Sequence, residues 1–125
     1  MNKKRILVVD DEPGITRSLK LNLEATQLFK VRTENESIHV LKVAHEFQPD
    51  LILLDVVMPD PYGCRVAAQL HADPELKDTP VVFLTALAHN EETGGHAVAA
   101  GARVYLAKPV DITELVRCIE EHVRR

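Results

Sequence analysis

Three of the apolar runs in this chain do not alternate. Ile6-Leu7-Val8-Val9, Leu51-Ile52-Leu53-Leu54 and Val81-Val82-Phe83-Leu84 are continuous, so a strand built from any of them is apolar on both faces. Only a sheet covered on both sides buries such strands, and parallel sheets with crossover helices are covered in that way. Two weaker runs, Phe29 to Val31 and Val104 to Ala107, complete a set of five. Segments with helical spacing lie between them. Ile15, Leu19 and Leu23 step by four; Ile38, Leu41 and His45, with Ala44 and Phe47 alongside, mark a second helix; Val66, Ala67 and Leu70 mark a third. Ile112, Leu115, Val116, Ile119 and Val123 mark the last, and a short fourth is expected around His96 to Ala100, after Gly94-Gly95.

The alternation predicts (βα)5, a three-layer α/β sandwich with right-handed crossovers. Pro49, Pro59, Pro80 and Pro109 all fall beside strand ends, where they interrupt no ladder. The 125 residues fit one domain spanning 1–125. A chain of this length buries roughly two-thirds of its unfolded surface, so no metal or disulfide staple is needed for folding. Five residues are aromatic and none is Trp, so the core must be aliphatic.

Charge and composition exclude several functions. A net charge of −4 argues against a nucleic-acid backbone as direct partner. Lys3-Lys4-Arg5 precedes an apolar run of only four residues that ends at Asp10, too short for a secretory signal. No run approaches the roughly 18 apolar residues of a membrane span. Cys64 and Cys118 lie far apart without metal-ligand spacing and read as reduced thiols. A cytoplasmic location is expected, with no membrane partner.

In a sheet of this kind ligands bind beyond the carboxyl ends of the strands, where strand order reverses. The first run ends in Asp10-Asp11-Glu12, the third in Asp55; Thr85 follows the fourth and Lys108-Pro109 the fifth. Each alone has an ordinary explanation as a cap, a turn former or a solvated charge. Together they converge at one edge. Three carboxylates so close repel by roughly 4 kcal/mol per pair at 4 Å and an effective dielectric near 20. Such a cluster must raise a pKa or hold a cation. With oxygen ligands only, the cation expected is Mg²⁺, and a Lys and a hydroxyl opposite it complete a clamp on a phosphoryl group.

The sequence here resembles the receiver domains of bacterial two-component response regulators over its whole length, and as given it looks like one chemotaxis-regulator-like domain. The resemblance rests on Val8-Val9-Asp10-Asp11-Glu12-Pro13, Leu54-Asp55-Val56-Val57-Met58-Pro59, Gly63, Leu84-Thr85-Ala86, Ala100-Gly101-Ala102 and Tyr105-Leu106-Ala107-Lys108-Pro109. The separations, 45 residues from Asp10 to Asp55, 30 to Thr85 and 23 to Lys108, match as well. It implies a doubly wound, flavodoxin-like sheet of five parallel strands in order 2-1-3-4-5.

The resemblance also implies roles. Asp55 looks like the phospho-acceptor, forming an aspartyl phosphate. Asp11, Asp55 and the backbone carbonyl of Val57 look like Mg²⁺ ligands, with Asp10 acting through water. Lys108 resembles the partner of the phosphoryl oxygens, Thr85 the hydroxyl that moves to bond them, Tyr105 the aromatic switch and Pro109 the family's cis proline. The implied function is a phospho-accepting switch, not an enzyme beyond its own phosphorylation and dephosphorylation. A sensor histidine kinase or histidine phosphotransfer protein supplies the phosphoryl group. The face of the fourth helix, fifth strand and fifth helix then controls an output partner or a C-terminal effector domain.

One stretch departs from the pattern. After Met58-Pro59 the chain reads Asp60-Pro61-Tyr62-Gly63, with Tyr in place of an acidic or amide residue and an extra proline. Three other functions remain to be weighed. A haloacid-dehalogenase-type hydrolase needs an Asp-x-Asp nucleophile motif after the first strand, where this chain has Asp10-Asp11-Glu12. A flavin or nucleotide module needs a Gly-rich phosphate loop, and the glycines are only 14, 63, 94, 95 and 101. A scaffold needs no phosphorylation at all.

Overall fold

The computed structural model describes residues 3–55, 63–85, 98–100, 103–107 and 111–123. The first strand, β1 (Lys4–Val9), leads through a sharp turn into helix α1 (Pro13–Ala25), and β2 (Phe29–Glu34) follows. A single 3₁₀ turn, Ser37–His39, precedes α2 (Val40–Phe47), then come β3 (Leu51–Asp55), α3 (Gly63–Ala72) and β4 (Val81–Thr85). Two adjacent strands, β5 (Val98–Ala100) and β6 (Arg103–Ala107), and the C-terminal helix α4 (Ile112–Val123) complete the described chain.

The sheet runs β2-β1-β3-β4-β6-β5. The first five of these strands are parallel, as the continuous apolar runs require, and β5 alone pairs antiparallel with β6. Pleating sends alternate side chains to opposite faces. Ile6 and Val8, with Leu51 and Leu53, join Leu19 and Leu23 of α1 and Leu115 and Ile119 of α4. Leu7 and Val9, with Ile52 and Leu54, join Val43 and Ala44 of α2 and Val66 and Leu70 of α3. Ile6 to Val9 and Leu51 to Leu54 are wholly shielded from solvent. Among the described residues no helix is long and apolar enough to cross a membrane.

Two expectations fail. Of the fourth predicted helix, His96 and Ala97 lie outside the described residues, and the rest, Val98–Ala100, is a strand. The parallel ladder leaves the outer edge of β6 with unpaired N–H and C=O groups, and Val98–Ala100 satisfies them through the pairs Val98↔Tyr105 and Ala100↔Arg103. A short segment with one large apolar residue has little helical packing to set against that gain. The second helix also has a different face. The 3₁₀ turn delays its start to Val40, so Val40, Val43 and Ala44 are buried while Ile38 is 69% exposed.

His45, one of the residues whose spacing marks this helix, lies at the surface. Its Nε2 is 2.7 Å from Asp73 Oδ2 and its Nδ1 3.0 Å from Glu75 Oε1, tying the end of α2 to the segment after α3. The Asp73 contact, followed by that to Glu75, holds the imidazole pKa above its ordinary 6.5. Asp73 is held below 3.8, first by the Glu75 backbone N–H. A raised histidine pKa stabilises the fold fully below the unfolded value and loses that contribution as pH rises through the folded one. The stability advantage of the protein over His45→Gln should therefore shrink as pH is raised from about 6 to about 8, read by urea unfolding.

Candidate functional site

The register Val9↔Leu54 brings β1 and β3 to the same edge of the sheet, with Ile6 to Val9 and Leu51 to Leu54 fully buried. Each hands over there to a carboxylate. Asp55 is the last residue of β3 and 3% exposed, Asp10 directly follows β1 and is fully buried, and Asp11 stands exposed beside them. One carboxylate oxygen from each lies within 4.8 Å of the others. At that spacing the Asp10–Asp55 repulsion is on the order of 3 kcal/mol for an effective dielectric near 20.

Local sequence explains the turn that presents Asp10 and Asp11. Pro13 occupies the first turn of α1, where its fixed φ suits the helix and its missing N–H costs nothing. Glu12 caps that turn, its carbonyl accepting from the N–H groups of Ile15 at 3.1 Å and Thr16 at 3.2 Å. The N–H of Glu12 in turn donates to Asp10 Oδ1 at 3.0 Å, closing an Asx-type turn. From the neighbouring strand end, Asn35 Nδ2 donates to the Asp10 carbonyl at 2.8 Å and to Thr16 Oγ1 at 3.0 Å. Asn35 and Thr16 do not stand out in the sequence, where an Asn after a strand reads as a turn former. The usable signal is position, since the Val9↔Glu34 register sets residue 35 opposite Asp10.

The other predicted residues are placed by backbone alone or not at all. Thr85 ends β4 and pairs with Ala107, one step beyond the Asp55↔Leu84 pair. Tyr105 lies in β6, between Phe83 and Val98. Val57, Lys108 and Pro109 lie outside the described residues. Cys118 packs in the core against the sheet, where burial pushes its thiol pKa up to about 11 and removes it from thiolate chemistry.

The sequence model of one family, described as the response regulator receiver domain, matches residues 6–120. The DNA-binding dual master transcriptional regulator RpaA of Synechocystis is 35% identical over 121 residues, which cover 97% of this chain and 49% of that protein. The polar-differentiation response regulator DivK of Brucella anthropi is 28% identical over 120 residues, 96% of each chain. This chain thus spans about half the length of the first relative and nearly all of the second. The receiver domain of the Francisella response regulator 1452 superposes with a TM-score of 0.81 at 26% identity, over 98% of both chains.

The donor set at the strand ends suits a hard divalent cation. It consists of carboxylate oxygens only, two of the three groups are buried, and among the described residues no His or Cys joins them. A cation bound only by the folded chain stabilises it by mass action. With Mg²⁺ as probe at ten times its Kd, unfolding should cost about 1.4 kcal/mol more than in chelator. Asp55→Asn should lose most of that increment, measured by urea denaturation at fixed ionic strength.

Proposed function

Because this chain belongs to the response regulator receiver domain family of two-component systems, we propose that it is a phosphorylation-operated switch with Asp55 as phospho-acceptor. The observation that carries this reading is the gathering of Asp10, Asp11 and Asp55 at the carboxyl edge of the parallel sheet. A carboxylate at the end of a fully buried strand is held rigidly, and its exposed neighbour Asp11 marks the side from which a donor approaches.

A carboxylate oxygen of Asp55 attacks the phosphorus of a phosphohistidine on a sensor histidine kinase or histidine phosphotransfer protein. The P–N bond breaks, its electron pair stays on the imidazole nitrogen, and an aspartyl phosphate remains. An incoming phosphoryl dianion would otherwise meet three negative charges. Mg²⁺, when bound, supplies the charge neutralisation; Asp11, Asp55 and the Val57 carbonyl would hold it, with Asp10 acting through water. Lys108 takes the role of counter-charge to the phosphoryl oxygens, and Thr85 supplies a hydroxyl to them. Tyr105 follows Thr85 and alters the face made by β6, α4 and the segment before β6, which a partner protein or an attached effector domain reads. The chain catalyses only its own phosphorylation and dephosphorylation, acts in the cytoplasm and leaves any DNA contact to other domains.

Incubation with acetyl phosphate and Mg²⁺ should add the mass of one phosphoryl group to the intact protein, and neither chelator-treated protein nor Asp55→Asn should gain it. Undiminished labelling of that variant would overturn the assignment of the acceptor.

A further inference from the structure

We propose that Asn35 is a positioning residue for the acidic cluster, its carboxamide holding the Asp10-Asp11 turn from the end of β2 so that cation affinity depends on it. This rests on the reading that Asp10, Asp11 and Asp55 take Mg²⁺. The ladder between β1 and β2 stops at this point. Asp10 N–H still donates to the Glu34 carbonyl at 3.2 Å. The next rung of a parallel ladder would be Glu36 N–H to the Asp10 carbonyl, but Glu36 N–H turns instead to the carboxylate two residues back, Glu34 Oε2, at 3.0 Å. Asn35 Nδ2 takes the vacated place on the Asp10 carbonyl at 2.8 Å. The side chain thus continues the ladder after the backbone has left it.

The second N–H of the same nitrogen reaches Thr16 Oγ1 at 3.0 Å. Thr16 is 2% exposed, and its own hydroxyl hydrogen is committed to the Pro13 carbonyl at 3.1 Å. Both partners of Asn35 therefore act as acceptors, which fixes the amide orientation and leaves no place for a carboxylate at position 35. One carboxamide ties together the end of β1, the start of α1 and the end of β2, and the two metal-facing aspartates lie on the four residues spanned between Asp10 and Pro13. Loss of a group that orients a ligand from behind typically costs about 10–100-fold in metal affinity.

The test is a Mg²⁺ titration at fixed ionic strength, followed by backbone amide chemical shifts. Asn35→Ala should bind Mg²⁺ roughly tenfold more weakly than the unsubstituted protein. Asn35→Asp should also bind more weakly, although the added negative charge by itself would strengthen binding, so this variant isolates the lost donor. Thr16→Val should show a smaller loss and Thr16→Ser none; this pair reads the same contact even where an Asn35 variant does not fold. Leu76→Ala, which opens a cavity in the core cluster of α2 and α3, should lose stability while keeping Mg²⁺ affinity. Normal binding by the Asn35 and Thr16 variants, or an equal loss in Leu76→Ala, overturns the positioning role and leaves the switch reading intact. Absence of Mg²⁺ binding by the unsubstituted protein overturns both.

Discussion

Everything at the site depends on the in-register parallel pairing of β1 with β3. Their core residues, Ile6 to Val9 and Leu51 to Leu54, are buried on both faces. A slip of one residue would send every side chain of one strand to the wrong cluster, because the pleat has a period of two. Register is therefore fixed by the apolar side chains on either face, and the two aspartates at the strand ends inherit that fixed position. The burial of aliphatic carbon thus sets the spacing of charge. The cost of crowding carboxylates, of order 3 kcal/mol per pair, is small beside the burial of eight such side chains at about 1.5–3 kcal/mol each.

Much of this was legible in the residues alone. Continuous branched-aliphatic runs identified β1, β3 and β4 and required a two-sided cover, and the terminal aspartates followed from where those runs stop. What could not be read has particular causes. Ile38 and His45 fit a helical period that the 3₁₀ turn at Ser37–His39 displaces, and a hydrogen-bonding choice of that kind leaves no mark on apolar spacing. Val98–Ala100 pairs as a strand because a neighbouring edge offers it partners, a tertiary cause that overrides a weak local preference. Asn35 was invisible because its meaning comes from pairing with Asp10, 25 residues away.

The clusters on the two faces of the sheet divide the labour. Helices α1 and α4 pack on one face and α2 and α3 on the other, so the central strands β1 and β3 are gripped from both sides and the site edge is the place where chain leaves that grip. The turn from Asp10 to Pro13 is correspondingly tied by short polar contacts, from Asn35, Glu12 and Thr16, instead of apolar packing. Polar ties of this kind are directional, and directionality is what a carboxylate cluster needs and what hydrocarbon cannot supply.

The strand β5 closes one margin of the sheet, and the opposite margin is β2, where Lys30 and Arg32 project to solvent and Arg32 meets Glu46 at 3.2 Å. An open margin of a twisted sheet is a template on which another chain can continue the ladder, and charge or a covering strand denies it. Lys30 and Arg32 charge the β2 margin, and β5, the last strand on the other side, is only three residues long, so a ladder extended from either end would gain few rungs.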